Sequence, residues 1–284
     1  MKSFSWLVLG FFLIFSSPVG GIRAAEKIPP KLQKKLKVRL DLSQISFSNW
    51  AKGGDNTWSY TSNLNGGLRH EGARFKWAVH TDLAFGQSMI GGEEIRNTQD
   101  RIELDANAVW KEKRYLNPYI SFSLNTQFAR GYDYKKSPPE LKSDFWDPAY
   151  LLQSIGFGHQ FRKTLTTRLG IAVKETFTRK LRRYSDNPKT KNVQEKTKIE
   201  PGVKSLSTLL LKVNSNLNFS SRLELFSDLK GIRYVDVRWQ NRMEAKVAKY
   251  VAVNLELFAL YDTDTSDRWQ WKQFLGVGLT YQFF

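Results

Sequence analysis

Cysteine is absent from the 284 residues, and histidine occurs only three times. No disulfide, thiolate nucleophile or cysteine-based metal site can be built from such a chain. Long apolar runs are missing too. After Phe15 nothing reaches the roughly 18 consecutive apolar residues that a membrane-crossing helix needs. Acidic charge is the scarcer sign, with 27 Asp/Glu against 44 Lys/Arg and a net charge of +17. Such an excess suits nucleic acid, anionic lipid or acidic partners. No nucleic-acid-binding motif accompanies it, so nucleic acid is not expected as a partner. What the chain does have is aromatic residues, at 14%. Phe and Tyr favour strands. A mean hydropathy of −0.46 resembles that of a soluble protein. The mean is uninformative for a barrel, where lipid-facing and lumen-facing residues alternate and cancel.

The first residues read as an export signal. Lys2 precedes the apolar run Phe4 to Phe15. Ser16, Ser17 and Pro18 break it, and small residues lead to Ala24 and Ala25. The run is too short to span a bilayer and has the layout of a cleavable signal peptide, with cutting after Gly21 or Ala24 equally compatible. The expected organisation is therefore a signal peptide over 1–25, a periplasmic leader over 26–35 carrying Pro29 and Pro30, and a barrel over 36–284. An exported chain without a spanning helix is secreted, periplasmic or a membrane barrel.

Period-2 alternation dominates from residue 36 onward. Ile102, Leu104, Ala106, Ala108 and Trp110 alternate with Arg101, Glu103, Asp105 and Asn107. Phe75, Trp77, Val79, Thr81, Leu83 and Phe85 alternate with Lys76, His80 and Asp82. Val251 to Tyr261 and Leu275 to Phe283 repeat the pattern. A strand of this kind separates lipid from a polar space. The alternation predicts twelve strands, near 36–48, 56–69, 75–86, 101–113, 119–133, 149–161, 165–178, 203–219, 222–232, 238–248, 251–262 and 269–284. Short turns are expected at His70–Arg74, Arg114–Pro118, Arg162–Thr164, Ser220–Ser221 and Lys249–Tyr250. Longer loops are expected at Gln87–Asp100, Tyr134–Pro148 and Arg179–Gly202. Short turns on one side and long loops on the other are the asymmetry of bacterial outer-membrane barrels. The fold expected is a closed antiparallel transmembrane β-barrel of about twelve strands, in the outer membrane of a Gram-negative bacterium.

Tryptophan supports this layout. Trp50, Trp58, Trp146, Trp239, Trp269 and Trp271 fall at the long-loop end, and Trp77 and Trp110 at the short-turn end. Indole settles where apolar tails meet water, so two girdles are expected. The chain ends Leu279-Thr280-Tyr281-Gln282-Phe283-Phe284, similar to the terminal-strand signal read by the barrel-assembly machinery, with Phe284 one residue beyond the usual register. A soluble sandwich is the competing fold, but several of these strands are longer than its usual five or six residues.

The segment Asn49-Trp50-Ala51-Lys52-Gly53-Gly54-Asp55-Asn56-Thr57-Trp58-Ser59 resembles the opening motif of a family of Bacteroidota outer-membrane β-barrels known only as a domain of unknown function. The resemblance continues through Leu83-Ala84-Phe85-Gly86, Thr126 to Tyr134, Phe145 to Tyr150 and Leu260-Tyr261-Asp262. It implies an outer-membrane location and no particular reaction. The motif also has a physical reading. Gly53, Gly54, Asp55 and Asn56 are tight-turn residues, and Asn49, Trp50 and Trp58 flank them, so a hairpin joining the first two strands is expected.

Candidate chemistry is sparse. His80 and Asp82 share an inward face and could form half of a hydrolytic pair, with a serine from another strand. A lumen histidine in a polar network is the simpler reading. Asp262, Asp264 and Asp267 are spaced like calcium ligands but lack the central glycine and late glutamate of a calcium loop. No metal and no cofactor are expected. The stretch from 179 to 198 carries Arg179, Lys180, Arg182, Arg183, Lys189, Lys191, Lys196 and Lys198 against only Asp186 and Glu195. Outside the cell it would face lipopolysaccharide phosphates; otherwise it is a solvated loop. Inward charges of both signs, including Arg39, Asp41, Arg101, Glu103, Asp105, Arg222, Glu224, Arg242 and Glu244, can pair across the lumen. The function expected is a non-enzymatic outer-membrane barrel, either a small-solute pore or a structural and assembly component. The alternative is a barrel lipase or protease using His80. Expected partners are outer-membrane lipid, lipopolysaccharide and, during biogenesis, the barrel-assembly machinery.

Overall fold

A computed structural model describes residues 31–46, 55–111, 116–162, 164–187, 190, 193–229, 235–262 and 266–284. The expected signal peptide, together with Asn49, Trp50, Gly53, Gly54, Lys189, Lys191 and Asp264, lies outside these residues. The strands are β1 Lys31–Ile45, β2 Thr57–Glu71, β3 Phe75–Ile90, β4 Arg96–Trp110, β5 Asn117–Thr126, β6 Gly131–Asp133, β7 Glu140–Ser143, β8 Ala149–Phe161, β9 Leu165–Phe177, β10 Thr197–Lys212, β11 Leu217–Asp228, β12 Asp236–Lys246, β13 Val251–Asp262 and β14 Ser266–Gln282. All but β6 and β7 form one closed antiparallel barrel in the order β1-β14-β13-β12-β11-β10-β9-β8-β5-β4-β3-β2. The twelve-stranded closure follows the alternation. β6 and β7 pair as a small separate hairpin in the loop between β5 and β8.

The register puts the charged parity inside. Asp82 faces Glu103 across β3–β4, and Arg222 faces Gln240 across β11–β12. The other parity carries the aliphatic side chains outward, where no element among the described residues covers them. Ile171 is 67% exposed and Leu275 65%. Trp58 and Trp239 lie near the loop ends of β2 and β12, and Trp77 and Trp110 near the turn ends of β3 and β4.

Several boundaries differ from the sequence reading. Ser220 and Ser221 lie within β11, and the turn before it is Val213–Asn216 instead. Asn214 Oδ1 accepts from the backbone N–H of Asn216 and Leu217, both at 2.8 Å, so asparagine chemistry outcompetes the serine pair. The expected loop Gln87–Asp100 contracts to residues 91–95, because Gly91 (φ 60°) and Gly92 (φ 79°) turn the chain tightly. β10 starts at Thr197 and runs through Pro201, inside the expected loop Arg179–Gly202. β1 starts at Lys31, within the stretch expected to be a leader. His70 is in β2 and stacks on Trp77 at 5.9 Å, not in a turn.

Two glycines face each other across β8 and β9, Gly156 and Gly170. A Cβ on either would collide with the partner strand's backbone, and one on Gly170 would also lie 2.8 Å from Tyr119 Oη. This gap admits the Tyr119 ring, which is 1% exposed, into the turn-side half of the lumen.

Candidate functional site

The interior is filled in three levels. At the turn end, Tyr119 lies under the Arg168 guanidinium at 5.8 Å, and Arg168 Nη2 donates to Asn107 Oδ1 at 3.1 Å. Lys76 Nζ reaches from β3 to Gln160 Oε1 on β8 at 3.0 Å.

The middle level is a lattice of ion pairs that cross the lumen. Arg222 on β11 binds Asp105 on β4 with both Nη atoms, at 2.8 and 2.9 Å. Arg238 on β12 binds Glu103 on β4, and Arg242 on β12 binds Asp82 on β3. β4 and β12 are diametrically opposite in the ring of twelve. Arg101 links Asp82, at 3.2 Å, to Glu256 on β13, at 3.8 Å. Arg39 closes the chain by binding Asp41 at 2.8 Å and Glu256 at 3.0 Å. Lys204, 1% exposed, pairs with Glu224 at 3.1 Å, and Lys174 holds Asp236 at 2.7 Å. Guanidinium groups suit this work because each can fork onto a carboxylate and still donate elsewhere. Removing one partner of such a desolvated pair strands the other, so the lattice is self-consistent only when complete.

Above the lattice, at the loop end, lies a cup of about 240 Å³. Its floor includes Arg101, Glu103, Arg238 and Glu256, and Phe258 and Phe274 stand in its wall. Lys272 also lines the cup, and among the described residues no carboxylate lies within ion-pair distance of its ammonium. Asp100 spends its carboxylate on the backbone N–H groups of Phe128 and Ala129, at 2.7 and 2.9 Å.

The outer loops form a folded clamp. The fully buried Asp147 carboxylate accepts from the backbone N–H groups of Arg179, Lys180 and Leu181 at 3.1, 2.6 and 3.2 Å. Lys180 Nζ binds Asp144 at 3.0 Å, and Arg179 Nη2 donates to Phe145 O at 2.6 Å. Glu140 receives Lys136, Lys142 and Arg183, and hydrogen bonds led by Lys136 hold its carboxyl down to about 2. Asp144 and Asp147 exchange backbone hydrogen bonds at 2.8 and 3.0 Å. They set Phe145 and Trp146 outward on a turn in which Trp146 adopts φ 56°. That left-handed conformation costs a non-glycine residue on the order of 1 kcal/mol or more, and the clamp sustains it. Asp147→Ala is expected to release the clamp. In limited trypsin digestion of the folded barrel, cleavage between residues 179 and 196 should rise at least tenfold, while an unchanged rate would show that the loops hold without Asp147.

The sequence-derived candidates are distributed as follows. Arg179, Lys180, Arg182 and Arg183 make intramolecular contacts: Arg182 Nη1 donates to Gln194 O at 2.7 Å, and Arg183 Nη2 donates to Leu141 O at 2.8 Å. They do not form a freely solvated run. Lys198 pairs with Glu200 at 2.9 Å, and Lys196 is exposed. Of the motif residues, Asn56 O accepts from Gly91 N at 2.8 Å, which docks the start of β2 on the β3–β4 turn, and Trp58 stacks on Tyr60 of the same strand at 6.0 Å. Asp55 packs beside Gly91. His80 points inward next to Gly67 and Asp105. In that layer the Ser123 hydroxyl donates to Asp105 Oδ1 at 2.6 Å, and no described hydroxyl is hydrogen-bonded to the His80 ring. Among the described residues there is no cluster of three or more His, Asp or Glu able to hold a metal ion. The sequence named Asp82 only as a partner for His80 and Asp147 only within a family motif, and it did not single out Lys272, since parity shows which side a residue faces but not whom it meets.

Over residues 42–132 the chain matches a family described as a protein of unknown function (DUF3078), a stretch that takes in β2 to β5. No curated protein matches the chain in sequence. Among solved structures it is similar to the translocator domain of the autotransporter NalP from Neisseria meningitidis, with TM-score 0.39, 11% identity, and 90% of this chain and 89% of that one covered. It is also similar to an outer membrane channel from Pseudomonas putida F1, with TM-score 0.41, 9% identity, and coverage of 93% and 99%. A third is Salmonella typhi OmpF in complex with daunomycin, with TM-score 0.28, 10% identity, and coverage of 89% and 97%. At such identities no activity carries over from them.

Proposed function

We propose that this chain is a non-enzymatic outer-membrane barrel with a closed lumen, a structural or assembly component whose working surface is its outer rim. The observation that carries the reading is the set of Arg–carboxylate pairs joining β3 and β4 to β11 and β12 across the interior. A diffusion pore needs a continuous aqueous path, and paired guanidinium groups at mid-height stand in its way. Membrane residence is supported by the uncovered aliphatic exterior. Contiguous apolar surface beyond a few hundred Å² is rare on soluble monomers, and the Trp-banded outside matches the depth profile of a bilayer. The last strand, ending in exposed Tyr281 and Phe283, fits recognition by the barrel-assembly machinery. At the rim, Arg130 and Lys180 extend largely exposed side chains beside Phe145 and Trp146, a combination suited to lipopolysaccharide phosphates and acyl edges.

The test is conductance in a planar bilayer. The purified barrel is expected to insert, shown by heat-modifiable migration on a detergent gel, yet to give no stable porin-like steps. Steady ohmic steps from the wild-type protein would overturn the closed-lumen reading in favour of a small-solute pore.

A further inference from the structure

We propose that the turn-end mouth of the barrel is a docking surface for an acidic polypeptide segment of another envelope protein, which enters along the barrel axis and lays its carboxylates on Lys35, Lys76, Arg168 and Lys246. This inference rests on the membrane reading above, which turns that end toward the periplasm.

The lumen pairs its charges at mid-height and turns basic at the turn end. Below the layer of Asp105, two described carboxylates share the inward parity, Glu71 and Glu244, and both are taken. Glu71 is bound by Arg69 and Lys111, each at 2.9 Å, and Glu244 by Lys37. Lys76 meets the neutral Gln160, and Arg168 the neutral Asn107. Lys35, in register with Gly67, and Lys246, in register with Ala252, are exposed. Among the described residues none of these four has a carboxylate within ion-pair distance. Arg69, Lys111 and Arg168 instead lie near enough to Lys76 to repel it. Like charges gathered in a concave mouth favour an incoming anion. The chain connections at this end carry the same sign. Residues 72–74, 111–116, 162–164, 213–216 and 247–250 hold Glu112 as their one acid against seven Lys or Arg.

Placement argues for a partner from the periplasm and against the lipid leaflet. At this height the outward parity carries aromatic rings: Trp77 stacks on His70, Trp110 tilts on Phe75, and Tyr281 meets Phe283 edge-on. Such rings form the girdle that meets lipid. The unpaired cations stand on the opposite parity, inside the ring of strands. They are also spread apart. Lys35, Lys76, Arg168 and Lys246 come from β1, β3, β9 and β12, on all sides of the barrel. A lone phosphate reaches one or two of them. An extended polypeptide sets side chains of one parity roughly 7 Å apart and spans the mouth with several carboxylates. Ammonium and guanidinium groups then exchange water and neutral amides for stronger, charge-assisted hydrogen bonds. The Arg–carboxylate lattice above blocks further entry, so the segment caps the mouth and does not thread the barrel.

The experiment uses the full mature chain in phosphatidylcholine nanodiscs and a fluorescent octaglutamate bearing a diazirine, with octaglutamine as the neutral control. Anisotropy is expected to show saturable binding of octaglutamate and none of octaglutamine. Raising salt from about 50 to about 300 mM should weaken the binding at least tenfold through screening. After photolysis, peptide mapping should find the label on turn-end segments at least fivefold over the outer loops. Lys76→Gln with Arg168→Gln should weaken binding at least tenfold. So should Lys35→Gln with Lys246→Gln, at exposed sites where the fold is not at stake. Lys135→Gln, exposed in an outer loop, should leave binding unchanged. Heat-modifiable migration of every variant reports folding separately. Equal binding of octaglutamine, label on the outer loops, or undiminished binding by both double variants would each overturn the proposal. Full displacement of the peptide by inorganic phosphate at matched charge would overturn it in favour of a small-anion site. Stronger labelling of the same segments by a diazirine-bearing phosphatidylglycerol would overturn it in favour of a lipid site. A wild-type chain that stays out of nanodiscs would refute the membrane reading and this one with it, whereas porin-like current would refute the closed lumen alone.

Discussion

Asp105→Ala is expected to destabilise the barrel by about 3 kcal/mol, the low end for orphaning one member of a desolvated ion pair. Asp105 takes both Nη atoms of Arg222 and the hydroxyl of Ser123. With the carboxylate gone, the remaining ion-pair partner of Arg222 among the described residues is Glu224, at 3.5 Å and already shared with Lys204. The excess positive charge at mid-lumen has nowhere to go except into entering anions and water. Two readouts should move together. The temperature at which the folded band converts to the unfolded band on a detergent gel should fall. Anion-selective current absent from the wild type should appear in planar bilayers. The swap Asp105→Arg with Arg222→Asp should recover part of the stability, because the two positions face each other across the interior. An unchanged transition temperature in Asp105→Ala would mean that the pair is as well solvated apart as together.

Gly170→Val should have the larger effect and prevent the barrel from closing. The new Cβ would fall on the backbone carbonyl of Ile155, beside Tyr119 Oη, where no side-chain rotation gives relief. Overpacking of this kind ordinarily costs about 1–3 kcal/mol, and more where the obstacle is main chain. The folded, heat-modifiable species should be lost from the outer-membrane fraction. Gly66→Ala, whose Cβ would meet only Thr81 Cβ at 3.8 Å, should assemble normally. If Gly170→Val folds like Gly66→Ala, the facing glycines are not what makes room for Tyr119.

Much of the fold was legible because a two-residue period is a strong signal over long strands. Ile102 to Trp110 and Val251 to Tyr261 gave their faces directly. Strand ends were less legible. Gln87–Ile90 and Arg96–Asp100 lack clean alternation, yet the two glycines of the turn draw them into the ladder. Between Leu211 and Leu223 two polar clusters compete for one turn, and only the Asn214 side chain decides it. The site was legible in kind, not in pairing. Inward parity marked Arg222 and Asp105 as lumen residues, but their meeting depends on barrel size and stagger, which no local pattern records. The contacts of Arg179, Lys180, Arg182 and Arg183 were hidden for the same reason. Their partners Glu140, Asp144 and Asp147 sit in another loop, so a local charge count could not show that Arg179, Lys180 and Arg183 are held.

Three pairs of the lumen lattice also join distant parts of the chain with one polarity on each side. Carboxylates at 82, 103 and 105 come from the first half, and their guanidinium partners at 242, 238 and 222 come from the second, with separations of 160, 135 and 117 residues. While the chain is incomplete, these three carboxylates lack the guanidinium groups that complete them, even though Arg101 and Glu224 supply nearer partners to Asp82 and Arg222. The long-range pairs form only when late strands swing round to face early ones, so a slipped ladder would cost them at the closing step.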